Sequence, residues 1–398
     1  MKPQSPISRT PTRFLCVAVA LTLLGVVGVP GVSRTNSTAR AEAAGGAGNA
    51  VLDLGTESTC SVRANGGIRC FGPNTYGQNG PSSLSTDMFS TFVPIGGINP
   101  RSVSAGATTT CFSDIAGQQM RSSIGCVGAA VARNGGDHRA FSVGKNGVCH
   151  TRPPVQFPLP GPTTSAVICR GADDGSGWAG GSNGTTTGVQ FTNVAGPPGG
   201  ASHIALSGSN SCATVVDAAG VLGVRCWGLA TSPVIGGSSL STPIAWLPAT
   251  ISALAITPNN GCVLSNGLVY CWGSMSTGVR FGPVGTPVPI SGTITAIALG
   301  GQGACALRST GTVTCWGGQF QSPFEDMVFG PDSDGLPAVV DAVAMAEFHS
   351  CVQLRTNEVR CWGDPSLLAG SSKVVSVPFV ELPNTRIDSG PANGSITS

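Results

Sequence analysis

Cysteine is the residue whose type and spacing do most in this 398-residue chain, which carries fifteen of them. Setting Cys16 aside leaves fourteen, and these fall into seven consecutive pairs: Cys60/Cys70, Cys111/Cys126, Cys149/Cys169, Cys212/Cys226, Cys262/Cys271, Cys305/Cys315 and Cys351/Cys361. The gaps within pairs run from 9 to 20 residues. Zinc is the competing chemistry, but it wants CxxC-type spacing with histidines close by, and the chain has only four histidines. An even set of cysteines at regular intervals is the pattern of a disulfide framework, which forms in an oxidising compartment.

The N-terminal residues agree with that compartment. Lys2, Arg9 and Arg13 precede a 16-residue apolar run from Phe14 to Val29, and Ala41-Glu42-Ala43 supplies a small-x-small cleavage site. The run is shorter than the roughly 20 residues a membrane span needs. Residues 1–43 are therefore expected to be a signal peptide, with a retained anchor as the alternative. Its removal takes away Lys2, Arg9, Arg13, Arg34, Arg40 and Glu42, leaving 16 basic and 18 acidic residues, net −2. Nucleic-acid binding needs a basic stripe, and none is visible. The mature chain, 44–398, is expected outside the cytoplasm: secreted, periplasmic or at the cell surface, with no membrane span.

Other residues that could carry chemistry weigh less. Gly180-Gly181-Ser182-Asn183-Gly184 fits G-x-S-x-G, but a nucleophile elbow needs a strand before it and a helix after it; glycine- and threonine-rich flanks read as a loop. Asp332-Ser333-Asp334-Gly335, with Glu325 and Asp326 upstream, offers oxygens for calcium, yet lacks the full calcium-loop pattern and also suits an ordinary turn. His138, His150, His203 and His349 are scattered, and nothing places one beside a nucleophile. No cofactor and no metal site are expected. Asp173, Asp174 and Trp178 lie in the longest irregular stretch, 170–202, and Trp246 in another inter-motif segment. Aromatic residues are enriched in interface hot spots, so these four are the candidate binding residues.

The elements that position the cysteines show in a repeat. The second cysteine of each pair sits in one short motif: IRCFG (68–72), IGCVG (124–128), VICRG (167–171), VRCWG (224–228), VYCWG (269–273), VTCWG (313–317) and VRCWG (359–363). A short β-prone run precedes each first cysteine and ends five residues before it, at Gly55, Gly106, Gly144, Ser207, Thr257, Gly300 and Ala346. First cysteines recur at a mean spacing near 48 residues, the range of propeller blades.

Between Cys262 and Cys271, Asn266-Gly267 is the strongest two-residue hairpin signal, because both turn positions need positive φ. Pairing outward puts Ser265 opposite Leu268, Leu264 opposite Val269, Val263 opposite Tyr270 and Cys262 opposite Cys271. Pairs alternate, so the cysteines land on a non-hydrogen-bonded site, where the strands are close enough to bridge. Three other pairs have a gap of ten, which predicts one extra loop residue. A further β-prone segment follows each hairpin, as in TFVPIG (91–96), TPVPI (286–290) and SVPFV (376–380). RIDSG (386–390) resembles an eighth first strand, with Ser395 where its cysteine would stand.

Composition fits this plan. The chain has 58 glycines, 29 prolines and only 10% charged residues, against roughly 25% in ordinary domains, which argues against long helices. Its 41% hydrophobic content is opposite to the disordered signature. Four strands per unit and seven units predict an all-β, seven-bladed β-propeller with one intrablade disulfide per blade, blades starting near 51, 102, 140, 203, 253, 294 and 341. An open solenoid is the runner-up.

The residues also resemble a known family. CALRSTGTVTCWG (305–317) is similar to the regulator of chromosome condensation repeat, a seven-bladed propeller family, and Asn74, Tyr76, Gly77, Gln78 and Gly80 match its N-x-YGQ-x-G signature. The third unit departs from the pattern, with Arg170 where tryptophan stands elsewhere. The paired cysteines look like those of secreted bacterial members. The resemblance implies a binding scaffold: the founder exchanges nucleotide on a small GTPase at chromatin, which export and net −2 argue against here, and a secreted bacterial relative inhibits β-lactamases with one propeller face. The expectation is an exported, monomeric, non-enzymatic binding module for an extracellular protein or glycan. Its rivals are a polysaccharide-acting propeller enzyme, which wants paired carboxylates, and a structural matrix component.

Overall fold

The structure is a computed structural model describing residues 51–56, 58–62, 67–72, 74–79, 89–92, 100–113, 123–128, 134–135, 140–144, 147–151, 167–171, 189–190, 201–208, 210–216, 222–228, 244, 247–248, 250–274, 285–301, 303–317, 324–332, 334–363 and 380–381. All of these lie in one compact unit, Ala39–Ser398; the other unit, Met1–Thr38, holds most of the expected signal peptide and lies outside them.

The described residues form seven antiparallel sheets, each from strands consecutive in sequence. Blade one is β1 (Leu52–Leu54), β2 (Thr59–Val62), β3 (Ile68–Phe71) and β4 (Phe89–Phe92). Blade two is β5 (Ser102–Ala105), β6 (Thr109–Ser113), β7 (Ser123–Gly128) and β8 (Asn134–Gly135). Blade three is β9 (Phe141–Val143), β10 (Gly147–Thr151), β11 (Val167–Gly171) and β12 (Val189–Gln190). Blade four is β13 (Ile204–Ser207), β14 (Asn210–Val216) and β15 (Leu222–Gly228), and blade five is β16 (Ala253–Ile256), β17 (Asn260–Ser265) and β18 (Leu268–Gly273). Blade six is β19 (Ile294–Gly300), β20 (Gly303–Arg308), β21 (Val313–Trp316) and β22 (Glu325–Asp326). Blade seven is β23 (Val340–Met345), β24 (His349–Leu354), β25 (Val359–Gly363) and β26 (Val380–Glu381).

The first strands stand side by side around the axis, and the ring closes where β23 and β24 pack on β1. Each sheet turns from its first strand to its second in two residues. The Gly55 amide donates to the Ser58 carbonyl at 2.7 Å, with equivalents at Gly106/Thr109, Gly144/Gly147, Thr257/Asn260 and Ala346/His349. The small residue five before each cysteine now has a reason. A Cβ on Gly55 would meet the Gly106 carbonyl oxygen at 2.2 Å, one on Gly106 the Gly144 oxygen at 2.1 Å, and one on Gly300 the Ala346 oxygen at 2.3 Å. Adjacent blades touch backbone to backbone there.

The second and third strands form the stapled hairpin. In blade five the register runs Ser265↔Leu268, Leu264↔Val269, Val263↔Tyr270 and Cys262↔Cys271, as the Asn-Gly turn dictates. Asn266 and Gly267 take φ of 49° and 76°. Blades six and seven carry the extra loop residue, placed left-handed at Gly311 (φ 84°) and Asn357 (φ 66°). All seven cysteine pairs are bonded within their blade, with Cα–Cα separations of 3.9 to 4.1 Å, the close spacing of non-hydrogen-bonded pairs.

Successive side chains on a strand point to opposite faces, so each Cys and the residue after it face different neighbouring blades. The apolar core accordingly divides into seven clusters, each lying between two blades. Cys60 and Cys70 of blade one cluster with Val103, Phe112 and Val127 of blade two. Cys111 and Cys126 of blade two cluster with Phe141, Val143 and Val148 of blade three. Cys149 and Cys169 of blade three cluster with Trp227 of blade four, and Cys212 and Cys226 of blade four with Trp272 of blade five. Cys262 and Cys271 meet Trp316, and Cys305 and Cys315 meet Trp362. At the closing interface Cys351 and Cys361 of blade seven meet Phe71, Leu52 and Leu54 of blade one.

The repeat does not distinguish one staple from another, but the structure does, at Cys126. It stands opposite Cys111 and is bonded to it, closing a separation of 15 residues. Yet Cys126 is 9% exposed, whereas no other bridge cysteine exceeds 3%. At the motif position that elsewhere sets Trp, Phe or Val against a staple, the sequence of blade three has Arg170.

One strand expectation needs correction, in blade five, which has three strands among the described residues, not four; in blade four most of the segment after β15 lies outside the described residues. The TPVPI segment (286–290) does run beside β18, where the Val288 amide donates to the Val269 carbonyl at 2.7 Å. Pro287 and Pro289 have no N–H to continue the ladder, so no strand forms. Of the other two segments, β4 takes only residues 91–92 and β26 only Val380; the rest, with 386–390, lies outside the described residues.

Candidate functional site

The antiparallel order of each sheet sends its connections to two ends of the ring. First-to-second-strand turns and third-to-fourth-strand connections leave at one end. The stapled hairpins and the connections to the next blade leave at the other. The best-described connection at the hairpin end is residues 327–339, between blades six and seven.

This connection is held from beneath by a buried ion pair. The Arg360 and Glu358 side chains are 3% and 8% exposed and lie 2.8 Å apart. Arg360 donates through Nε and Nη2 to Glu358 Oε1, at 2.9 and 2.8 Å. It also donates through Nη1 to the Gly330 carbonyl at 2.9 Å and through Nη2 to the Pro331 carbonyl at 2.7 Å. Met327 is buried, its amide donating to the Val313 carbonyl at 2.9 Å. The Phe329 ring lies 6.1 Å from that of Trp362, centroid to centroid.

Beyond the clamp the chain bonds to itself. Asp332 Oδ1 accepts from the Asp334 and Leu336 amides at 3.0 and 2.9 Å. The Asp332 amide donates to the Leu336 carbonyl at 2.8 Å, and the Gly335 amide to the Asp332 carbonyl at 2.9 Å. Gly335 turns with φ of 75°, a conformation glycine adopts without strain. The outcome is a fixed turn presenting Val328 at 70% and Leu336 at 61% exposure. Pro331, Asp334 and Pro337 are exposed beside them.

Two further ion pairs sit at the same end. Arg308 Nη1 lies 3.0 Å from Asp326 Oδ1, and Arg355 Nε lies 3.5 Å from Asp341 Oδ1. The Thr314 hydroxyl donates to Asp326, and with the Arg308 guanidinium it holds that carboxyl below its ordinary value of 3.8.

Most side chains flagged in the sequence serve the frame. The fourteen bridge cysteines, Cys126 with Cys111 among them, are all in disulfides. Asp332 caps its own turn, as described. His150 is buried on β10, and His203 is half-buried, its Nδ1 2.9 Å from the Ser202 hydroxyl. His349 Nε2 lies 3.0 Å from the Thr59 hydroxyl, bridging blades seven and one. Trp227, Trp272, Trp316 and Trp362 are buried. Among the described residues no group of three His, Cys, Asp or Glu side chains could hold a metal ion. No described helix is long and apolar enough to cross a membrane. Asp173, Asp174, Trp178, Trp246, His138 and residues 180–184 lie outside the described residues, as does the side chain of Glu325.

Sequence reasoning missed two sets of residues. On the inner strands, Asp53 accepts from the Ala105 amide at 2.8 Å, Ser104 from Val143 at 3.0 Å and Ser142 from Leu206 at 3.1 Å. Each pins the next blade by an amide on its otherwise open axial edge. The second set is the arginine clamp, whose signal was present. Arginine precedes the second cysteine in motif copies one, four and seven, and Arg69, Arg225 and Arg360 are all buried.

Comparison with known proteins agrees with this architecture. Residues 294–320 match the regulator of chromosome condensation (RCC1) repeat. No curated protein matches the chain in sequence. Among solved structures, Prp20p from Saccharomyces cerevisiae superposes with a TM-score of 0.52 at 13% identity, covering 74% of this chain and 80% of Prp20p. The ectodomain of the Physcomitrella patens receptor kinase CR4 gives 0.52 at 20% identity, covering 83% of this chain and 76% of that one. With its RCC1 repeat, its seven stapled sheets closed into a ring and these structural neighbours, the chain is an RCC1-like β-propeller.

Proposed function

We propose that this propeller is an exported, non-enzymatic interaction module of a bacterial producer, recognising an extracellular protein through loops at one end of the ring. The observation that carries this reading is a division of labour. Buried polar side chains such as Asp53, Ser104 and Ser142 hold blades together and the Glu358–Arg360 pair holds a connection, while exposed apolar side chains sit on that connection. Seven intrablade disulfides support an extracytoplasmic home, since cytosolic thiols are kept reduced. The neighbours point the same way: Prp20p is described with binding properties to Gsp1p and histones, and the CR4 structure is a receptor ectodomain.

A capture experiment tests the reading. Oxidised, monomeric chain 44–398 is immobilised against the producer's extracellular and envelope fractions, with reduced, unfolded chain as the control. A saturable protein partner retained only by the oxidised form is the expected result. Folded chain that retains nothing, but turns over a polysaccharide in a way abolished by one carboxylate substitution, would replace the binding reading with the enzyme.

A further inference from the structure

We infer that the 327–339 connection is the contact loop, and that it takes a protein surface with an apolar pocket rimmed by lysine and arginine. This rests on the reading of the chain as an interaction module and names the place and chemistry of the contact.

Three observations converge on it. The first is exposure: Val328, Pro331, Leu336 and Pro337 present apolar surface to solvent from one short connection. Single exposed apolar residues need no explanation, whereas several on one fixed loop mark an interaction site. The second is the way the loop is held. A buried ion pair is seldom the most stabilising way to fill a space, because desolvating both charges offsets most of their attraction. Here the pair also fixes two loop carbonyls in place, and Asp332 fixes the turn beyond them. A loop ordered before binding loses less entropy on contact.

The third observation is charge. Residues 309–354 contain no lysine or arginine, and of their carboxylates Asp326, Asp332, Asp334 and Asp341 stand at the hairpin end, with Glu347 in the turn at the opposite end. The flanking Arg308 and Arg355 are engaged with Asp326 and Asp341, and Arg360 is buried on Glu358. The 327–339 connection itself carries Asp332 and Asp334 and no lysine or arginine, so its exposed apolar side chains share a loop of net charge −2, whose complement is cationic. Charge complementarity of this kind steers encounter and sets specificity.

The experiment uses the oxidised full-length protein. Wild-type and V328S/L336S chains are panned in parallel against a displayed library of random peptides, at low and at high salt. Intact disulfides and an unchanged melting transition establish that the variant is folded, which its exposed positions predict. Wild type is expected to enrich peptides combining arginine or lysine with leucine, valine or aromatic residues, bound more weakly at high salt. V328S/L336S is expected to bind those peptides on the order of tenfold more weakly, as loss of an interface anchor does. Peptides that bind both chains equally, or that carry no basic residues, would overturn the loop assignment while leaving the interaction module standing. No enrichment overturns the assignment as well, and the module itself then stands or falls on the capture experiment.

Discussion

Trp316 is wholly buried, and Ala304 stands directly opposite it on the neighbouring strand. The same compensation recurs round the ring. Ser211 faces Trp227, Gly261 faces Trp272 and Ser350 faces Trp362, whereas the smaller Phe71 and Val127 face Thr59 and Thr110. Where Arg170 replaces the aromatic residue, Val148 stands opposite. A Cβ on Gly261 would meet the Trp272 ring at 2.2 Å, so Gly261→Ala should cost about 1–3 kcal/mol through overpacking, read from urea unfolding. The buried clamp gives a larger effect. Arg360→Met removes the guanidinium that the buried Glu358 carboxylate bonds, a loss of about 3–5 kcal/mol. The double variant R360M/E358L should regain most of that, yet leave 327–339 open to limited proteolysis. At Asp326 the folded-state carboxyl titrates below its ordinary 3.8. Its contribution is full well above that value and is lost as pH falls through it. Asp326→Asn should flatten the melting temperature against pH below about 4, a small effect because the carboxylate is largely exposed. The motif tryptophans were legible in the sequence because they recur. Asp53, Ser104 and Ser142 were not, since nothing in a strand of three or four residues says that its side chain crosses to the next blade.

At the scale of elements, the stapled hairpin was the most legible unit. Its turn chemistry sets its register, and the register sets which cysteines face each other, so local sequence sufficed. The fourth strand was less legible, because its pairing depends on a long connection and on which residues can donate to the ladder. Pro287 and Pro289 have the β-prone pattern but lack the donors. Each disulfide closes a loop of about 10 to 20 residues, so removing one as Cys262→Ser/Cys271→Ser should cost roughly 2–4 kcal/mol. The staple is local and the neighbouring interfaces keep their own cores. Hydrogen exchange should therefore show the protection loss concentrated in blade five and the blades packed on it. Uniform loss across all seven blades would mean that the ring unfolds as one cooperative body.

The whole molecule combines a repeated frame with connections of unequal length. Ring closure was legible only as a number of repeats; what joins blade seven to blade one is a set of contacts between distant residues. Leu52, Leu54 and Phe71 meet Ala342, Ala344 and the last disulfide, and the Thr59 hydroxyl meets His349. Among the described residues no sheet takes strands from both ends of the chain, and the contacts described at the closure are packing contacts. Because every staple lies within one blade, the fold dictates the covalent structure, and that structure needs an oxidising compartment. Non-reducing peptide mapping of the chain recovered from the producer's extracytoplasmic fraction tests it most directly. Seven linkages should appear, each joining consecutive cysteines from Cys60/Cys70 to Cys351/Cys361, with no free thiol. Linkages between blades, or a functional chain found with its cysteines reduced, would contradict it.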